Sequence, residues 1–370
     1  MTLFGSEIVG RPLDEVDTPA LVIDADAMER NIARMAAFFA ERPAKLRPHA
    51  KTHKSPIIAH KQLAAGAVGI TCAKLGEAEV LVEGGIHDIL IANQIVGPVK
   101  IARLVRLARH ANIAVAVDDL DNARQISEAA VAAGSTVRVL VEVNVGMNRC
   151  GVEPGAPAVE LAQRVASLPG LRFFGLQGYE GHLVGVPDRA ERERRVREAM
   201  APLIETRRMI EAAGIPVEVV SGGGTGTFDI TSTIEGFDEV QAGSYVFMDA
   251  WYRQVEGPDT AFEPALFLWS TIVSRPAPDR AVGDIGLKTA TPEHGLPTAF
   301  GISGVETLSL SEEHVKLRVE GEARSLRPGD KIRFVPGHVC TTVNLHDCYV
   351  VVRDGIVEAV WPIAARGRAT

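Results

Sequence analysis

Four cysteines among 370 residues are too few to staple a fold of this length, so a disulfide scaffold is excluded and a reducing cytoplasm is the expected home. A basic excess is also missing. Lys and Arg number 39 against 47 Asp and Glu, and the net charge of -8 leaves no electrostatic footprint for nucleic acid or an anionic membrane. No apolar run approaches the roughly 20 residues that a membrane span needs. Residues 1–12 lack the charged-then-apolar layout of a secretory leader. There is no low-complexity tract, and the only repeat is an alternation of short apolar runs with helical patterns. What remains is a 46% hydrophobic chain, long enough for one large domain and a smaller one.

The alternation sets the fold class. Apolar runs over 45–51, 69–73, 88–92, 113–118, 136–145, 172–179, 217–221 and 239–246 read as eight strands. Between them, stretches such as 98–110, 122–133 and 187–213 carry Ala, Leu, Arg and Glu at helical spacing. Eight such units favour a closed (β/α)8 barrel of the TIM type over an open sheet. An earlier strand over 20–26 leads into a helix over about 27–41. Beyond Asp249 the texture changes to runs over 265–273, 315–319, 331–335, 348–352 and 356–360, the last two joined by Arg353-Asp354-Gly355. Asp-Gly tolerates the positive φ that a tight hairpin needs. The expected organisation is a barrel over 27–250 and a mostly antiparallel β domain from 1–26 plus 251–370, with the boundary near 249–259.

In such a barrel, chemistry gathers at the C-terminal ends of the strands. Lys51, in Arg47-Pro48-His49-Ala50-Lys51, ends the first strand and could form an imine with an aldehyde cofactor, or be a plain solvated charge. Ser221, Gly222, Gly223, Gly224, Thr225 and Gly226 follow the seventh strand. Bare backbone and hydroxyls there suit a phosphate, although the lysine of a nucleotide P-loop is absent. Gly243, Ser244 and Tyr245, at the next strand, add candidate phosphate donors, and Tyr179 ends the sixth strand. Arg149 is either a surface ion-pair partner or a fixed cation; facing a pyridine nitrogen, it would disfavour protonation of that ring. His338-Val339-Cys340, read as an extended segment, points imidazole and sulfur the same way and could share one open metal site. A buried cysteine beside a hydrogen-bonded histidine is the plainer alternative. Glu313, His314, His346 and Asp347 cannot be assigned from spacing.

Together these residues resemble one family of fold-type III pyridoxal-phosphate enzymes, the D-threonine aldolase and D-serine dehydratase branch. The resemblance runs along nearly the whole chain. It includes Asp17-Thr18-Pro19-Ala20, the Lys51 segment, Asn148-Arg149-Cys150-Gly151, Gly175-Leu176-Gln177, the glycine loop, Asn344-Leu345-His346-Asp347 and Trp361-Pro362-Ile363. It implies an alanine-racemase-like barrel with a β domain, usually a homodimer, and a divalent metal beside pyridoxal 5'-phosphate. By the same resemblance Lys51 is the cofactor lysine and 221–226 the phosphate cradle. Arg149 and Tyr179 are pocket residues, and His338 and Cys340 are catalytic metal ligands. Two departures stand out: His-x-Cys is more typical of the dehydratases than of the aldolases, and Glu180 stands where aldolases carry a histidine.

The family's chemistry divides at the bond broken in a D-amino acid bearing a β-hydroxyl. Cleavage of Cα–Cβ gives glycine and an aldehyde; loss of the α-proton and hydroxide gives a keto acid and ammonia, with Lys51 as the base. More of the chain looks aldolase-like, so retro-aldol cleavage leads, with D-serine or D-threo-3-hydroxyaspartate dehydration as the alternative. A thiolate ligand favours zinc over manganese or magnesium. An amino-acid racemase and a non-catalytic pyridoxal-phosphate carrier are further readings, neither of which uses the His338/Cys340 pair.

Overall fold

The computed structural model describes residues 6–255, 257 and 262–370. They form two compact units: residues 34–51, 55–243 and 367–370 make one, and residues up to 33, 52–54 and 244–366 the other. The expected boundary near 249–259 falls partly outside the described residues.

The first unit holds eight parallel strands: Lys45–Leu46, Ile70–Cys72, Asp88–Gln94, Asn112–Val117, Val137–Glu142, Leu171–Gly178, Val219–Gly222 and Glu239–Val240. From the second to the eighth each pairs with its neighbour in chain order, and the first pairs with the eighth. The first and second strands meet through a parallel bridge at His49 and Thr71. There Ala50 N–H donates to the Thr71 carbonyl at 2.7 Å, and Thr71 N–H to the Pro48 carbonyl at 2.9 Å. This is the expected (β/α)8 ring. Continuous burial over residues 113–117 explains their apolar run, since a parallel strand is covered on both faces.

The connecting helices carry local start and stop signals. Leu120–Ala133 begins at Asp119, whose carboxylate accepts the Asn122 N–H at 2.7 Å, and ends at Gly134 with φ +61°. Pro98 opens Pro98–Leu107 at a position where a missing N–H costs nothing.

The floor of the barrel is held by charge. Arg47 is buried and makes a two-pronged pair with Glu239 at 2.8 Å, while its third nitrogen reaches Asp88 at 2.6 Å. Arg138 joins the same Asp88 oxygen at 3.0 Å. Burial raises the Asp88 pKa, but the two guanidinium groups outweigh it and hold the carboxyl below its ordinary value.

The second unit is a nine-stranded, mostly antiparallel sheet. Ala20–Asp24 pairs antiparallel with Leu266–Ala277 and parallel with Cys348–Arg353. Around it Val16, Val22, Trp269, Val350, Val352 and Val357 form a core. The Asp354-Gly355 turn has φ +49° and +77°, the tight hairpin geometry that the dipeptide predicts. Three strands escape the sequence reading: Arg280–Gly283, Thr298–Phe300 and Val305–Leu310. Among the described residues no helix is long and apolar enough to cross a membrane.

Candidate active site

Four predicted features converge in the barrel unit. The backbone over residues 45–50 is pinned on both sides, Arg47 N–H to the Val240 carbonyl at 2.9 Å and His49 N–H to the Ala242 carbonyl at 3.2 Å on one, and Ala50 N–H to the Thr71 carbonyl on the other. Lys51 therefore emerges at the C-terminal end of the first strand. Its Nζ lies 5.9 Å from the centroid of the Tyr179 ring, and the Arg149 guanidinium carbon lies 5.7 Å from the same centroid. A side chain at Gly224 would touch Tyr179, with the phenol oxygen 3.5 Å from its Cβ. An amine, a guanidinium, an aromatic wall and a glycine loop thus share one place.

Arg149 is presented by an asparagine-built turn. The Asn144 carbonyl oxygen of the side chain accepts N–H groups of Gly146 and Asn148, each at 3.1 Å, and Asn148 takes a positive φ that asparagine tolerates. Nearby Glu142 is buried and accepts from Gln94 at 2.6 Å; burial raises its pKa from the ordinary value, with the Gln94 bond and Arg149 opposing. The glycine loop is equally constrained. A Cβ at Gly222 would lie 1.9 Å from the Gly178 oxygen, and one at Gly226 would lie 2.0 Å from the Val184 oxygen. Neither position admits a side chain. Ser221 and Thr225 are buried, and the Ser221 hydroxyl accepts from Gln241 at 2.9 Å. Gly243 ends this unit.

Glu180, the residue after Tyr179, turns into the protein. It is fully buried, and its Oε1 accepts the hydroxyls of Thr227 at 2.6 Å and Thr231 at 2.7 Å.

The β unit holds the other predicted pair. His338 is extended, but it caps the short helix Val339–Val343, so Cys340 lies in the first helical turn rather than on a strand. The expectation of an extended His-x-Cys fails locally, yet the two side chains still hydrogen-bond to each other. The cause is Asp249, which the sequence reading missed. This fully buried carboxylate binds His338 Nδ1 at 2.8 Å and accepts Val339 N–H at 3.1 Å and Tyr252 N–H at 2.9 Å. A carboxylate only accepts, so Nδ1 carries a proton, and Nε2 is the nitrogen left to face other partners. Burial opposes a charged imidazole here, but the Cys340 thiolate and Asp249 outweigh it and raise His338 to about 10. Cys340 Sγ sits 3.2 Å from the Thr52 hydroxyl and 3.7 Å from that of Ser244. Tyr245 packs in the core against Phe262. Trp251 stacks on His294, with centroids 4.0 Å apart, and both rings meet His338 edge-on. Among the described residues no group of three or more His, Cys, Asp or Glu is placed to hold a metal ion.

The unassigned polar residues have local work. Glu313 pairs with Lys288, His346 binds the Thr289 carbonyl at 2.7 Å, and Asp347 pairs with Arg366.

A lysine at the mouth of a closed parallel barrel, accompanied by a β unit, is the plan of the alanine-racemase-like class. Residues 23–250 match the alanine racemase N-terminal domain, and residues 265–352 match a putative serine dehydratase domain. The chain belongs to the D-threonine aldolase and D-serine dehydratase family of pyridoxal-phosphate-dependent lyases. It is 46% identical to a D-threonine aldolase of an Arthrobacter species, over 97% of this chain and 95% of that one. The solved structure of D-threonine aldolase from Filomicrobium marinum is 45% identical, has a TM-score of 0.96, and covers 98% of this chain and 99% of its own. A D-threo-3-hydroxyaspartate dehydratase of a Delftia species is 31% identical, over 93% of this chain and 96% of that one.

Proposed function

We propose that this lyase cleaves D-β-hydroxy-α-amino acids to glycine and an aldehyde, using pyridoxal 5'-phosphate and a divalent metal. The observation that carries the aldolase reading is 46% identity to a D-threonine aldolase along nearly the whole chain, against 31% to the dehydratase.

The residues present fit both groups chemically. Lys51 would hold the aldehyde, and the loop with Ser221, Gly222, Gly223, Gly224, Thr225 and Gly226 would take the phosphate, with Gly243, Ser244 and Tyr245 as further candidates. Tyr179 supplies an aromatic face, and Arg149 keeps a fixed positive charge on the ring side. His338 Nε2 and Cys340 Sγ would be two ligands of the metal, leaving positions open for substrate and water. The imidazole and soft thiolate suit zinc, with manganese or magnesium as lesser fits. When bound, the cofactor supplies an electron sink for the α-carbon and the cation a Lewis acid for the β-oxygen.

The chain's own part is orientation. Asp249 fixes the His338 tautomer and ring direction, and the Thr52 and Ser244 hydroxyls surround the sulfur. In retro-aldol cleavage the β-hydroxyl loses its proton, Cα–Cβ breaks, and the α-carbon takes up a proton to give glycine. Dehydration is the second reading, favoured by Cys340 in the metal pair; there Lys51 would remove the α-proton. The proposal extends to a homodimer in the cytoplasm acting on small D-amino acids. D-threonine, D-serine and D-threo-3-hydroxyaspartate, offered with cofactor and zinc or manganese, decide the reaction. Metal-dependent glycine and aldehyde support the aldolase; ammonia and keto acid replace it with the dehydratase.

A further inference from the structure

Glu180 directly follows Tyr179, yet its side chain turns into the protein. Its Oε1 takes two hydroxyl hydrogen bonds, while its Oε2 is buried without a hydrogen-bond partner among the described residues. Thr227 is the link outward. The same Thr227 oxygen that donates to Glu180 accepts the Gly224 N–H at 3.1 Å, and Thr227 N–H donates back to the Gly224 carbonyl at 3.1 Å. The 224–227 turn is therefore closed by a chain running from the Gly224 amide through the Thr227 hydroxyl to the Glu180 carboxylate. Thr231, one helical turn on, ties the other side to the same oxygen. The Glu180 carbonyl also accepts Leu183 N–H at 2.9 Å, which shapes the segment whose Val184 backbone lies against Gly226.

We infer that Glu180 is a positioning residue for the phosphate cradle, acting through Thr227 on the backbone amides of the loop. The inference rests on the reading that this loop holds the phosphate of the cofactor. The carboxylate contributes here as an acceptor of two hydroxyls. An amide oxygen can accept the same two bonds.

The test uses the full-length protein, freed of cofactor, and titrates it with pyridoxal phosphate and with pyridoxal, which lacks the phosphate. Fluorescence quenching gives the affinities, and thermal melting and kcat at saturating cofactor are measured alongside. Glu180→Ala and Thr227→Val are expected to lose about tenfold in affinity for pyridoxal phosphate, the worth of one hydrogen-bonded link, with pyridoxal binding unchanged. At saturation kcat stays within about twofold, and Glu180→Gln holds the wild-type affinity within about threefold, since its acceptor is retained. Equal losses for both ligands, or a lower melting temperature with no change in affinity, overturn the positioning role. If Glu180→Ala does not fold, Thr227→Val and Glu180→Gln decide the question. Wild-type protein that binds both ligands equally would overturn the loop reading itself. A wild-type preference for the phosphate that survives both disruptive variants would overturn only the role of Glu180.

Discussion

Replacing Asp249 by Asn should damage the proposed metal binding without removing either of the proposed ligands, His338 and Cys340. In the wild type Oδ2 accepts two donors, His338 Nδ1 at 2.8 Å and Val339 N–H at 3.1 Å, while Oδ1 accepts Tyr252 N–H at 2.9 Å. An asparagine can keep an oxygen at only one of these places. If the oxygen stays with Tyr252, the new amide N–H groups face Val339 N–H and the Nδ1 proton. The clash is relieved when the imidazole moves its proton to Nε2, the atom a cation needs. If the amide turns the other way, Tyr252 N–H loses its acceptor in a fully buried place, which costs about 1–3 kcal/mol. Losing such an orienting carboxylate typically weakens a metal roughly 10- to 100-fold, which is about 1.4–2.7 kcal/mol. Calorimetric zinc titration of chelator-treated wild type and Asp249→Asn gives the two affinities, and thermal melting shows whether the variant is folded. A folded variant that binds zinc within about threefold of wild type would refute the argument, because the orienting bond would then be worth less than one ordinary hydrogen bond.

Other outcomes follow from the same geometry. Arg47→Met strands two carboxylates at the barrel floor, and a loss of about 3–5 kcal/mol in denaturant unfolding is expected, towards the lower figure because Asp88 keeps Arg138 and is a third exposed. Since the folded Asp88 pKa is depressed, its stabilisation is present above about pH 4 and fades as pH falls through the folded pKa. Melting temperature against pH should consequently be flatter on the acid side in Arg47→Met. An unchanged acid limb would refute that assignment. Gly226→Ala forces a methyl group onto the Val184 carbonyl, and we expect about 1–3 kcal/mol of destabilisation together with weaker retention of the cofactor through dialysis. Lys51→Ala should lose turnover and the long-wavelength absorption of the bound cofactor while keeping its zinc content, read by elemental analysis.

The barrel was legible because its evidence is local and repeated. All eight expected strands appear, as do helices such as Pro98–Leu107 and Leu120–Ala133, where proline, aspartate and glycine mark the ends. Lys51, Tyr179, Arg149 and the glycine loop were legible because each ends or follows a strand. Val305–Leu310 was not, since its alternation of half-buried and exposed positions carries small polar residues that read as a turn. The same holds for Asp249, whose meaning depends on a histidine 89 positions away. The helical turn at Cys340 was hidden for that reason too: a β-branched valine between His338 and Cys340 suits a strand, and the acceptor of its N–H is the distant Asp249 carboxylate. An acidic residue just beyond the last barrel strand, followed by Ala250-Trp251-Tyr252, was the one available hint.

The strand that delivers Lys51 has only two residues in regular pairing, too few to define its own register. A slip of one position would send every side chain to the opposite face and turn the lysine away from its companions. Arg47 stands four residues earlier on the same segment, directly after the paired residues. Its two-pronged grip on Glu239 can be made in only one alignment. The buried ion pair thus serves as an indexing pin: it fixes at one end of the strand which residue is offered at the other.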